Sequence, residues 1–207
     1  MKQDKETRSK LLQSARDEFM EKGYMKASLR NICKNAGVTT GALYFFFEDK
    51  AALFDAVIGE AVQSVYGIVR GHFEEEVVLA ENSGRLTLPE RGEADDFEIA
   101  KEMIHLMYRY RDDILLVLTK SQGTRYESIA DEFIELTEMH YRSMADKMQL
   151  AYPDKVIDDR FVHWLAHEQI DIFIYMITHI DEEEEAVRFM SQAVTYMMSG
   201  WYGLYTS

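Results

Sequence analysis

Gly37-Val-Thr-Thr-Gly-Ala-Leu-Tyr-Phe-Phe-Phe-Glu-Asp-Lys50 decides the fold. It reads as a turn, a very short helix and the entry to a longer helix. Immediately before it lies Ser28-Leu-Arg-Asn-Ile-Cys-Lys-Asn-Ala36, in which Leu29, Ile32, Cys33 and Ala36 fall at i, i+3, i+4 and i+7. That spacing predicts one apolar helical face. Ser28 is placed to accept an orphan backbone N–H as N-cap. Gly37 sits where a left-handed residue ends a helix, and Thr39 or Thr40 is placed to cap the next one. Two short helices joined by a glycine turn predict a helix-turn-helix, whose second helix enters the DNA major groove.

Working outward, residues 4–22 form a first helix with Leu11, Leu12, Ala15 and Phe19 as its inward stripe, stopped by Gly23. Val38, Leu43 and Phe47 close the three-helix core. Asp49 caps a fourth helix, periodic from Leu53 to Phe73 and reaching about residue 80. Residues 82–95 carry two glycines and a proline without clear period and read as a surface loop. A fifth helix follows over about 96–110 and a sixth over 113–121, centred on Leu115 and Leu118. The seventh opens at Gly123, where Thr124 and Glu127 have capping-box spacing, and runs to about 151. The eighth and ninth span about 158–179 and 182–205.

The residues that carry a resemblance are Ala15, Phe19, Gly23-Tyr24, Ser28-Leu29-Arg30-Ile32, Ala36-Gly37-Val38, Gly41, Leu43-Tyr44, Phe47, Lys50 and Leu53. Residues 5 to 58 resemble the N-terminal domain of the TetR (tetracycline repressor) family of transcriptional regulators. The resemblance covers roughly the first quarter of the chain. It implies an all-α protein of about nine helices, with a helix-turn-helix DNA-binding domain over 1–50 and a helical ligand-binding and dimerisation domain over 51–207. It also implies phosphate contacts from Tyr44 and Lys50. Phe45 departs from the family pattern, in which this position more often carries His or another polar residue.

Within the motif, Thr39, Thr40 and Gly41 lie at the N-terminal end of the recognition helix, which faces base edges. Such small side chains touch thymine methyls or give one hydroxyl hydrogen bond, so Arg30 is the better candidate for a bidentate guanine contact.

Charge supports this placement. The net charge is −14, yet residues 1–55 hold ten Lys and Arg against eight Asp and Glu, a balance of +2 that leaves −16 for the rest. The asymmetry directs DNA to the N-terminal part and repels it elsewhere.

Other classes find little support. No apolar run approaches the roughly 18 residues of a membrane span, so no membrane partner is expected. The N-terminus shows no apolar core of a secretory signal. The lone cysteine, Cys33, reads as a reduced core thiol in a cytoplasmic protein. His163 and His167 are four apart but lack the glutamate of a zinc-protease helix and any second cluster, and they read as core or interface histidines. Nucleophile motifs and phosphate-binding glycine loops do not occur, so no enzyme and no cofactor is expected.

The last two helices are apolar nearly all round, which demands burial on two sides. One side packs on its own subunit and the other on a partner. The resemblance adds a four-helix dimer interface, here with Phe173, Met176, Val194, Met197 and Trp201. Methionine and tyrosine concentrate after residue 96, and the resemblance implies an effector pocket in this domain. Its expected lining is Met103, Met107, Tyr110, Tyr126, Phe133, His140 and Trp164.

The sequence therefore reads as a ligand-responsive homodimeric repressor that binds a pseudo-palindromic double-stranded operator and is released by a small molecule. The alternative is a helical ligand-binding or interaction protein that has lost specific DNA binding.

Overall fold

The computed structural model describes residues 2–83 and 93–206, with side chains for 3–74 and 97–206. The described residues form nine helices and no strand: α1 Lys2–Lys26, α2 Leu29–Ala36, α3 Thr40–Phe46, α4 Lys50–Ser83, α5 Glu93–Arg109, α6 Arg111–Lys120, α7 Ile129–Ala151, α8 Asp159–His179 and α9 Glu183–Thr206. The loop expected over 82–95 lies mostly outside the described residues, and α4 and α5 close in on it from both sides.

The residues divide into two compact units. The first comprises 1–64 and 110–129, the second 65–109 and 130–207. This differs from the expected boundary at 50/51, because α4 begins in the first unit and α6 packs on α1 there.

In the first unit, Leu11, Ala15 and Phe19 of α1, Ile32 and Cys33 of α2, Leu43, Phe47 and the start of α4 make a continuous core. Phe54 meets Phe19 edge-on, with ring centroids 5.0 Å apart, and Tyr24 at 5.3 Å. Gly23 interrupts α1 with φ 73° and ψ 159°, a conformation that an L side chain would resist. Cys33 is free and buried, and burial pushes its thiol above the ordinary value.

Along Lys50–Glu74, α4 is long and apolar enough to cross a membrane by length and composition, although no unbroken apolar run within it approaches a membrane span. Asp55, Glu60, Gln63 and Arg70 break it into an amphipathic helix. Leu53, Phe54, Val57, Ile58, Ala61 and Val62 are buried, so packing accounts for the apolar face of its first turns.

Two local expectations shift. The buried face of α6 is Ile114, Leu116 and Val117 rather than Leu115 and Leu118. The Thr124–Glu127 pair does not open α7, which starts five residues after Thr124. Instead the Thr124 hydroxyl donates to the Ser121 carbonyl at 2.7 Å, and Gly123 N–H donates to Glu127 at 3.0 Å. Side chains that bond nearby backbone this way stabilise turns in competition with helix.

In the second unit, α9 packs against both α5 and α8. Met148, Trp201 and Tyr205 form a buried cluster with Tyr141, Met144, Tyr152 and Leu165 around it.

Candidate nucleic-acid interface

The motif is built by its caps. Ser28 has extended backbone angles, and its hydroxyl accepts from Asn31 N–H at 3.4 Å. Gly37 ends α2 with φ 68° and ψ 32°, the left-handed conformation that glycine adopts without penalty. Thr39 caps α3, its hydroxyl accepting from Ala42 N–H at 3.2 Å.

Two polar contacts that sequence reasoning missed orient α2 against α1. The buried Ser14 hydroxyl donates to the Ile32 carbonyl at 2.9 Å. The buried Glu18 carboxylate accepts from Ser28 N–H at 3.0 Å and from the Asn31 amide at 3.3 Å. A carboxylate inside an apolar core is tolerated only when hydrogen-bonded, as here. The only sequence signal was a charged residue next to Phe19 on the helix stripe.

On the outer side, Arg30, Thr39, Thr40, Gly41 and Tyr44 are all exposed. Thr40 and Gly41 share a face with Tyr44 and Phe45 at helical spacing. Phe45 is 77% exposed, the more notable because Phe47, two residues on, is in the core.

Lys50 is placed differently from the rest. Its ammonium donates to the carbonyls of Tyr24 at 2.8 Å and of Met25 and Ala27 at 3.3 Å, and it lies 4.5 Å from the Tyr24 ring centroid. Burial holds it below the usual lysine range. Without DNA, the three donors of this side chain thus tie the end of α1 to the start of α4 rather than turning outward.

With this geometry in hand, comparison with known proteins decides the motif. Residues 11–57 match the family described as bacterial regulatory proteins, tetR family. Residues 11–57 are therefore similar to the helix-turn-helix head of the TetR family. Over 56 residues it is 46% identical to the HTH-type transcriptional repressor BepR of Brucella suis, covering 27% of each chain. Over 129 residues it is 26% identical to the HTH-type transcriptional repressor KstR2 of Rhodococcus jostii, covering 62% of this chain and 60% of that one. The first match thus spans about a quarter of the curated relative. Among solved structures, NalD, the secondary repressor of the MexAB-OprM multidrug efflux pump in Pseudomonas aeruginosa, matches with a TM-score of 0.53 at 18% identity, covering 95% of this chain and 98% of that one. A transcriptional regulator from Aquifex aeolicus matches with a TM-score of 0.51 at 19% identity, covering 91% and 95%. At such identities these likenesses carry the all-α fold alone.

The expected effector lining is divided between the two compact units. Tyr110 and Tyr126 belong to the first unit, where the Tyr110 hydroxyl donates to Glu60 at 2.7 Å and Tyr126 packs on Phe54 with centroids 6.3 Å apart. Met103 and Met107 are buried on α5 in the second unit. There too, Phe133 stacks on Tyr66 at 4.3 Å, and His140 stacks on Phe73 at 4.0 Å with planes 5° apart. Trp164 is exposed on α8 beside Phe161. Tyr66, His72 and Phe73 were missed because their apolar stripe reads equally as ordinary helix core.

The expected dimer residues also separate. Met176 and Trp201 are buried within their own chain, while Phe173, Val194 and Met197 are half-buried.

Proposed function

We propose that the protein is a transcriptional regulator, acting as a repressor, that binds a pseudo-palindromic operator as a homodimer and is released by a small molecule. The observation that carries the reading is the capped α2–turn–α3 unit, which holds a short helix with Arg30, Thr39, Thr40, Gly41 and Tyr44 facing out. Arg30 supplies base readout and Tyr44 a phosphate contact. Phosphate contacts position the protein and base contacts specify the sequence.

A homodimer is supported by α8 and α9. Phe161, Trp164, Tyr175 and Tyr196 are exposed on them, although both helices already pack within the chain. The spacing of 161, 164 and 175 places three of them on one face of α8, and aromatic side chains aligned on one face suit an association site. An effector site is supported by the second unit, where Tyr66, Phe73, Phe133 and His140 line α4 against α7 with two stacked pairs. Flat rings with polar edges suit an apolar, partly aromatic ligand with one polar end. Release by that ligand requires it to bind two dimer conformations unequally.

Selection of operators from random duplexes with purified protein tests the reading. A repeated half-site in inverted orientation is expected. Arg30→Ala should relax preference at one base pair per half-site by about 1–3 kcal/mol. Tyr44→Ala should weaken all duplexes alike. Protein that binds no duplex in preference to others would leave the non-DNA alternative.

A further inference from the structure

We infer that Phe45, standing out from the recognition helix beside Tyr44 and Gly41, reads thymine 5-methyl groups in the major groove, so that apolar contact specifies part of the half-site beside the base pair read by Arg30. The inference rests on the DNA-binding reading and deepens it. The whole of α3, Thr40-Gly-Ala-Leu-Tyr-Phe-Phe46, carries no charged and no amide side chain. It has none of the bidentate groups that read guanine or adenine. What it does present is hydroxyl and hydrocarbon, and the thymine methyl is the one hydrocarbon feature on the major-groove edge of a base pair.

Three observations fix Phe45 as the reader. Its ring is 77% exposed, and such exposure of phenylalanine is costly without a partner. Phe46 packs against it with ring planes 85° apart and centroids 5.0 Å apart, so one side of the ring already has a neighbour. At i−4 sits Gly41, whose backbone is helical rather than left-handed. A Cβ there would meet only the Thr39 hydroxyl at 3.8 Å, an ordinary contact. Nothing inside the fold requires glycine at 41, whereas close approach of a duplex from outside does. Arg30 and Lys34, four residues apart and exposed on α2, add positive charge to the same two-helix unit, which suits a polyanion.

The experiment starts from the selected operator and replaces each half-site thymine in turn by deoxyuridine, removing only the methyl. Wild type should lose about fourfold in affinity per contacted methyl, the fold-change equivalent to one buried CH2. Phe45→Ala should bind both operators equally, and Phe45→Leu should restore part of the difference. The methyl effect should persist as salt is raised, because no counterion is released by it. An operator indifferent to deoxyuridine, or equal discrimination by Phe45→Ala, overturns this inference and leaves the DNA-binding reading standing. Concentration-dependent self-association without DNA that Phe45→Ala abolishes would assign the face to a second copy and overturn it too. If no duplex is selected at all, the reading and the inference fall together.

Discussion

The Arg16 guanidinium meets the Asp113 carboxylate at two points, Nε to Oδ1 at 2.6 Å and Nη2 to Oδ2 at 2.9 Å, and so fixes α1 against α6. The hydrogen bond to Asp113 holds Arg16 above the usual arginine range. Asp113 is buried, so removing its partner strands a carboxylate away from water. Arg16→Ala should therefore destabilise the protein by about 2–3 kcal/mol, as loss of a charged hydrogen-bonded pair does. A double-mutant cycle with Asp113→Ala by urea unfolding should return a coupling of about 1–3 kcal/mol. Additive losses would reduce the pair to a surface contact.

That pair also marks the limit of what the sequence discloses. Ser28, Gly37 and Thr39 act within four residues of themselves, so their caps are legible as letters in order. The apolar periods of α1, α4, α8 and α9 are legible for the same reason. Arg16 and Asp113 lie 97 residues apart, and no local pattern joins them. The inward turn of Lys50 was not legible, because a lysine at a helix start looks the same whether it turns outward or inward. Only the three carbonyls gathered beneath it decide. The division of the expected effector lining between the two units was hidden for a similar reason, since methionine and aromatic residues obey the same period whether they fill a core or border a cavity.

Lys50→Met tests the inward role. The substitution keeps the apolar stem and removes the donors to Tyr24, Met25 and Ala27. A loss of about 1.5–3 kcal/mol is expected from hydrogen bonds made by a charged donor. The salt dependence of operator binding should stay as in wild type. If stability is unchanged and the slope of log K against log salt falls by about 1, Lys50 does contact a phosphate.

Tyr205 sets an alkaline limit on stability. Its hydroxyl is buried with no hydrogen-bond partner among the described residues. Burial pushes the phenol up from 10.0 to about 12. A group with a raised folded value contributes stability that is complete below the unfolded value and is lost as pH rises through the folded one. The loss should be about 1.4 kcal/mol at pH 11. Tyr205→Phe lacks this term, so the stability difference between variant and wild type should widen in favour of Phe from pH 10 to 12. At neutral pH the variant should equal or exceed wild type, because an unpaired buried hydroxyl contributes no stability. A pH-independent difference in denaturant unfolding would mean that the phenol reaches water.

The faces of α8 and α9 give two opposite outcomes from the same type of substitution. Met176 is 0% exposed and Tyr196 is 72% exposed. A charge at Met176 enters the chain's own core, so Met176→Glu should unfold the second unit at any concentration. A charge at Tyr196 enters water in the monomer and an apolar seam in the dimer. Tyr196→Glu, or Trp164→Glu on α8, should leave helix content and the first unit's stability intact while shifting sedimentation from dimer to monomer. The reasoning turns on where desolvation occurs: an exposed carboxylate costs nothing until a second copy covers it. Loss of the dimer should carry operator affinity with it, because two half-sites then bind independently and the gain from linking them disappears. Wild type that sediments as a folded monomer at micromolar concentration would remove this face from association. Exposed aromatics that tolerate glutamate with the dimer intact would move the interface to the half-buried Phe173, Val194 and Met197, whose variants would then separate in the same assay.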